Sequence, residues 1–208
     1  MKLIAKLAMV AAVVCAAACG QAPASTEPSA LDVIMSRKSV RSYTDQNVTE
    51  AQVETILKAA MAAPTGMNIQ PWRFVVVRDQ AVKDALAGPR GGMIAQAPVV
   101  VVVCGETVMM RRPFGAGEDA EPVAVENGNW TADCAAATEN LLLAVEAMGL
   151  GACWTAGYPY PERMAAAREA LGLPENVSPY CIVPIGHPAG DDQPKDKWKP
   201  ENIHYDKW

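Results

Sequence analysis

The spacing of apolar and polar positions changes period several times along this chain, and the changes mark its elements. Residues 30 to 36 carry a short helical pattern. After "RKSVRSY" and the polar "TDQN", Thr49 and Gln52 fit a capping box, and Val48 with Val53 fits the hydrophobic staple beside it. Val53, Ile56, Leu57 and Ala60 then recur at helical spacing until Pro64 stops the helix. "RFVVVRD", 73 to 79, predicts a strand, and "QAVKDALA" a helix after it. "APVVVVVCG", 97 to 105, is apolar without alternation, which predicts a strand covered on both faces. Residues 106 to 128 are rich in Gly and Pro and predict an irregular, mobile loop. The longest helix is expected over 129 to 151, where Ala135, Ala136 and Ala137 leave several faces small enough for another helix to come close. "ACWTAG", 152 to 157, reads as one short strand, 161 to 171 as a helix, and "YCIVPIG", 180 to 186, as the last strand.

The two ends depart from this pattern. At the N-terminus, Lys2 and Lys6 precede an apolar stretch from Leu7 to Val14, followed by Ala16-Ala17-Ala18 and Cys19. The apolar part is too short for a transmembrane helix and predicts a secretory signal. Small residues ending in Cys resemble a bacterial lipoprotein lipobox, which implies lipidation at Cys19 and an exported, membrane-anchored protein. Ala16 stands where that pattern usually has Leu, and a plain signal peptide cut nearby is the alternative. The expected organisation is a signal over 1–18, a flexible tether over 19–29 and one domain over 30–208. The C-terminal stretch, 187 to 208, has no helical or strand period yet carries Trp198, Ile203, Tyr205 and Trp208. Disordered tails are poor in aromatics, so this one needs a surface to lie on, either a second subunit or its own domain.

Composition narrows the function classes. The 208 residues suit one compact domain, and a formal net charge of −5 is the wrong sign for a nucleic-acid footprint. Six Cys occur without a CxxC pair, which gives a zinc site little support. Cys104, Cys153 and Cys181 lie in apolar segments and read as small buried hydrophobes, although an exported protein is permitted a disulfide.

Two stretches carry candidate chemistry. In "RKSVR", Arg37, Ser39 and Arg41 alternate, so an extended backbone puts two guanidiniums and a hydroxyl on one side, as a phosphate requires. Taken alone, the stretch reads more readily as a solvated basic patch. No Walker A or GxGxxG loop follows a strand. In "APTGMNIQPW", 63 to 72, Thr65, Asn68 and Gln70 offer donors and acceptors on a backbone bent by Pro64 and Gly66, and Trp72 reads as the core anchor. Such amide groups match the alternating polar edge of a flavin. A loop that satisfies its own backbone is the alternative.

"RKSVR", "APTGMNIQPWRFVVV", "GLGACWTAG" and "LGLPENVSPYCIVPIGHPAGDDQPKDKWKPENIHYDKW" together, in this order and spacing, resemble the nitroreductase family over nearly all of residues 31 to 208. The resemblance implies an α+β fold, with a central mostly antiparallel sheet flanked by helices, as an intertwined homodimer holding FMN at the subunit interface. It implies that Arg37, Lys38, Ser39 and Arg41 hold the FMN phosphate and ribityl end, with Lys195 and Lys197 adding charge there. Pro64, Thr65 and Asn68 would come from the neighbouring subunit. Backbone groups of Trp154, Thr155, Ala156 and Gly157 would line the isoalloxazine. Thr65 stands where the family commonly has Ser, Lys197 where many members have Arg, and Ala156 where some have Glu.

The residues themselves offer no nucleophile–base pair. His187 and His204 are the only histidines, and both fall at or beyond the last strand. No side chain is assigned a catalytic role, so the chemistry is expected to belong to the cofactor. The implied mechanism is ping-pong, with NAD(P)H as donor and a nitroaromatic, quinone or similar acceptor taking its place. A lipid-anchored flavin-binding protein with little turnover, and a family member of different chemistry such as a dehalogenase or flavin-cleaving enzyme, are the alternatives. The stretch 106–128 is expected to set the acceptor.

Overall fold

The computed structural model describes residues 28–88, 91–113 and 115–208. The stretch expected to be a signal, Cys19 and the expected tether as far as residue 27 lie outside the described residues. Helix α1 (Ala30–Ser36) starts at a capping box made by Ser29 and Asp32, and α2 (Glu50–Met61) at the one anticipated from Thr49 and Gln52. There the Thr49 hydroxyl accepts the Gln52 backbone N–H at 3.2 Å, and the Gln52 side-chain Oε1 accepts the Thr49 N–H at 2.9 Å. Strand β1 (Trp72–Val77) ends two residues short of the sequence expectation. Asp79 leaves the sheet because its side chain accepts the Val82 N–H and so caps α3 (Gln80–Ala87). A short α4 (Gly92–Gln96), which no periodic pattern announced, leads into β2 (Val99–Glu106).

The stretch 106–128 is not wholly irregular. Val108–Arg111 forms β3 and Val123–Glu126 forms β4, paired antiparallel as a hairpin. Four-residue strands carry too little alternation to be read locally, and only their mutual register defines them. Helix α5 (Trp130–Ala147) follows, then β5 (Gly151–Ala152), β6 (Thr155–Ala156), α6 (Pro161–Leu171) and β7 (Val177–Gly186). The single strand expected over 152–157 is therefore two strands, both paired with β7.

The main sheet runs β1-β2-β7-β5, with β6 also on β7, and every pair is antiparallel. Antiparallel sheets often leave one face to water. Here both faces are covered, because β2 is apolar and buried from Val99 to Gly105 and pleating sends alternate valines opposite ways. Val99, Val101 and Val103 pack with Ile56 of α2 and Leu141 of α5. Val100, Val102 and Cys104 pack with Leu86, Ile94 and Ala167 of α3, α4 and α6. This is the α+β arrangement expected from the sequence, with helices on both sides of an antiparallel sheet. The small face of α5 is taken by α2 of the same chain, where the Asn140 amide donates to the Ala59 carbonyl at 3.1 Å. Cys104, Cys134, Cys153 and Cys181 are all buried free thiols.

Candidate functional site

The "RKSVR" segment leaves α1 in extended conformation, with Arg37 at φ −55°, ψ 133°. It then joins the sheet edge: Ser39 bridges Ala152 in parallel, and the Val40 N–H donates to the Ala152 carbonyl at 2.9 Å. Val40 is fully buried and lies against Gly151, where a Cβ would meet Val40 atoms at 2.6–2.8 Å. Only glycine lets the two segments approach this closely. The Tyr43 hydroxyl fixes the segment from beyond, lying 2.7 Å from the Val40 carbonyl and 3.1 Å from that of Pro184. Burial holds that phenol's pKa well above its ordinary range. With Val40 turned inward, the flanking side chains face outward, as the alternation required.

Those side chains line a cavity of about 280 Å³ together with residues from the far end of the chain: Arg37, Lys38, Ser39 and Arg41 meet Asp192, Gln193, Lys195 and Lys197. Five cationic side chains and one carboxylate converge there. Arg37 is paired with Glu139 at 3.1 Å and Lys38 with Glu146 at 3.0 Å, both on α5. Among the described residues, Arg41, Lys195 and Lys197 form no ion pair. The Arg41 guanidinium donates only to the Ser39 carbonyl, at 3.3 Å. These three cations are exposed, and one fork-shaped guanidinium with two ammoniums suits a phosphate. Asp192 and Gln193 escaped the sequence reading, because nothing local distinguishes them from the polar residues around them.

The segment Trp154–Gly157 begins two residues beyond Ala152, the bridge partner of Ser39. Register in β2–β7 shifts between Val103/Cys181 and Cys104/Pro179, which leaves Tyr180 as an extra residue. The freed Tyr180 carbonyl accepts the Gly157 N–H at 3.0 Å and the Tyr158 N–H at 2.8 Å. The Gly157 N–H is thus committed within the chain. Thr155 Oγ1 is buried with no hydrogen-bond partner among the described residues, a group that an additional polar ligand would satisfy. Trp130, Trp154, Tyr158 and Tyr180 form an aromatic cluster alongside, with ring centroids 5.1–6.4 Å apart.

Pro64, Thr65 and Asn68 do not line the cationic cavity. Their loop sits on the N-terminal end of α5, where the Gly66 N–H donates to Asp133 at 2.9 Å. At 1.5 Å per residue, Asp133 lies about 9 Å along α5 from Glu139 and about 20 Å from Glu146. The loop satisfies part of itself: Thr65 Oγ1 accepts the Gln70 N–H, and the Gln70 amide donates to Asn68. It also stores strain, since Met67, Asn68 and Gln70 all have φ of 52–55°. Trp72 is buried in the core as expected. The tail, by contrast, finds no cover on its own domain: Trp198 is 72%, Tyr205 82% and Trp208 101% exposed.

Comparison with known proteins places this geometry. The nitroreductase family model matches residues 34–89 and 85–187. A protein of Archaeoglobus fulgidus, provisionally named an NADH dehydrogenase/NAD(P)H nitroreductase, is 38% identical over 183 residues, covering 86% of this chain and 98% of its own. A crystal structure from Bacteroides thetaiotaomicron with the same provisional name superposes at a TM-score of 0.75 and 41% identity, over 86% of this chain and 98% of that one. A provisionally named nitroreductase from Desulfovibrio desulfuricans, solved in complex with FMN, superposes at 0.68 and 29% identity, over 88% and 99%. The chain belongs to the nitroreductase family.

Proposed function

We propose that this chain is an FMN-dependent oxidoreductase that takes electrons from NAD(P)H and reduces nitroaromatic, quinone or similar acceptors. The observation that carries the reading is the cationic cavity assembled from residues 37–41 and 192–197. FMN, when bound, would supply the redox chemistry, a two-electron transfer between dinucleotide and acceptor. The chain's own residues bind and orient. Arg37, Lys38, Ser39 and Arg41 hold the phosphate and ribityl end, and Lys195 and Lys197 add charge from the tail. Trp154, Thr155 and Ala156 border the ring system, and the unpaired Thr155 hydroxyl fits a polar ligand there. Gly157 serves by close approach, since its N–H already donates to Tyr180. With no acid–base pair assigned, specificity rests on which molecule can stack beside the ring.

The active form is a homodimer, as is typical of the family. The distance of Pro64, Thr65 and Asn68 from their own cationic cavity supports their service in the partner's site. The uncovered apolar side chains of the tail, with Leu31 and Met35 of α1, support a second subunit as their cover. Light scattering on the purified protein should give a dimer, and a monomer that still holds FMN would refute it. Purified protein should show a flavin absorbance spectrum that bleaches on anaerobic addition of NADH or NADPH. A spectrum that persists would defeat the reductase reading and favour a flavin-binding protein.

Export and lipidation at Cys19 are inferred from the lipobox-like stretch "AAAC" after the signal pattern. Cys19→Ala should release the protein from the membrane fraction with an unaltered flavin spectrum, and unchanged membrane association would refute the anchor.

A further inference from the structure

The first turn of α6 places a cation at the border of the proposed ring site. Arg163 Nη1 donates to the Ala156 carbonyl at 3.2 Å, and its guanidinium carbon stands 4.6 Å above the Tyr160 ring. These two contacts hold an otherwise flexible side chain in place while it stays exposed. A guanidinium has five N–H donors, and among the described residues one is used, to the Ala156 carbonyl. Among the described residues Arg163 forms no ion pair. The neighbouring residues add a second kind of surface: Trp130, Trp154, Tyr158 and Tyr180 present a continuous aromatic cluster, and Tyr158 is 40% exposed. Preorganised positive charge beside aromatic faces suits a flat aromatic molecule that carries a carboxylate.

We propose that Arg163 is a specificity-determining residue that pairs with the carboxylate of an aromatic acceptor. The proposal rests on the assignment of Ala156 to the border of the FMN ring. An acceptor lying along Trp154–Ala156 would meet the Arg163 guanidinium, which is held at the Ala156 carbonyl. A neutral acceptor of the same shape gains the stacking and forgoes the ion pair. Because the guanidinium is already fixed, little side-chain freedom is lost when the pair forms.

The test uses FMN-loaded protein and two non-reducible probes, benzoate and its neutral isostere benzamide, with dissociation constants read from perturbation of the flavin absorbance. Wild type should bind benzoate more tightly than benzamide. Arg163→Ala should weaken benzoate on the order of tenfold and leave benzamide unchanged, as expected for an exposed charge-assisted pair. Arg163→Lys should fall between, keeping charge without the fork. The benzoate preference should shrink as salt is raised. Benzoate affinity unchanged in Arg163→Ala, or both probes weakened alike, overturns the proposal. So does a variant in which only reduction by NADPH slows, since the anion met by Arg163 would then be a dinucleotide phosphate. Flavin content separates the two levels of inference. A flavin-loaded wild type with no loss of benzoate affinity in the variant defeats the role of Arg163 alone. A wild type that binds no FMN defeats the ring site and this proposal with it.

Discussion

Truncating Arg41 tests the proposed phosphate site most directly. Arg41 lines the cationic cavity without an ion-pair partner among the described residues, and its one intramolecular bond is to the Ser39 carbonyl. Its removal therefore leaves no buried carboxylate uncompensated, and stability should change by less than about 0.5 kcal/mol. FMN affinity should change much more. Losing one member of a hydrogen-bonded charge pair costs about 2–5 kcal/mol. Lys195, Lys197, Arg37 and Lys38 remain to share the phosphate, so the low end applies. At about 1.4 kcal/mol per factor of ten, about 2 kcal/mol weakens FMN roughly 30-fold. Arg37→Ala should weaken it less, because Arg37 already shares its charge with Glu139 at 3.1 Å. The assay is fluorescence titration of apoprotein with FMN and, separately, riboflavin, which lacks the phosphate. Riboflavin affinity should be the same in wild type and Arg41→Ala. An unchanged FMN constant in Arg41→Ala, or an equal loss for riboflavin, would show that the cavity does not hold the phosphate.

Three further outcomes test the scaffold. Asp133→Ala removes the acceptor of the Gly66 N–H and should cost about 1–3 kcal/mol, with amide exchange quickening over residues 65–70; protection there equal to wild type would refute the anchoring role. Gly105→Ala sets a Cβ at 2.6 Å from Trp130 and 2.9 Å from Cys134, and the overpacking should cost about 1–3 kcal/mol in denaturant titration, so a neutral result would mean that α5 yields freely. Burial pushes the Cys104 and Cys181 thiols up to about 12 and Cys134 further still. These folded values exceed those of the unfolded chain, so the contribution is complete below pH 9.0 and lost as pH rises from there toward about 12. Native protein at pH 8 should leave all three unlabelled by a thiol reagent that reacts at once after unfolding, and rapid native labelling would contradict their burial.

Much of this molecule is determined by local sequence. Capping boxes, the helical spacing of Val53, Ile56 and Ala60, and the unbroken apolar run of β2 specify their elements because each acts within a few residues. The outward placement of Ser39 and Arg41 is also legible, since alternation about an inward Val40 needs only an extended backbone. What the sequence left open depended on partners distant in the chain. The β3–β4 hairpin exists through pairing across an intervening turn. The break of 152–157 into two strands follows from the bulge at Tyr180, which redirects a carbonyl to Gly157 and Tyr158. Arg41 and Lys197 are separated by most of the chain, and only the folded tail sets them around one cavity. Arg163 looked like any charged residue in the first turn of a helix until the Ala156 carbonyl lay 3.2 Å from it. Local periodicity encodes which face of an element is apolar, whereas convergence of charge depends on long-range packing and closes only when the sheet does.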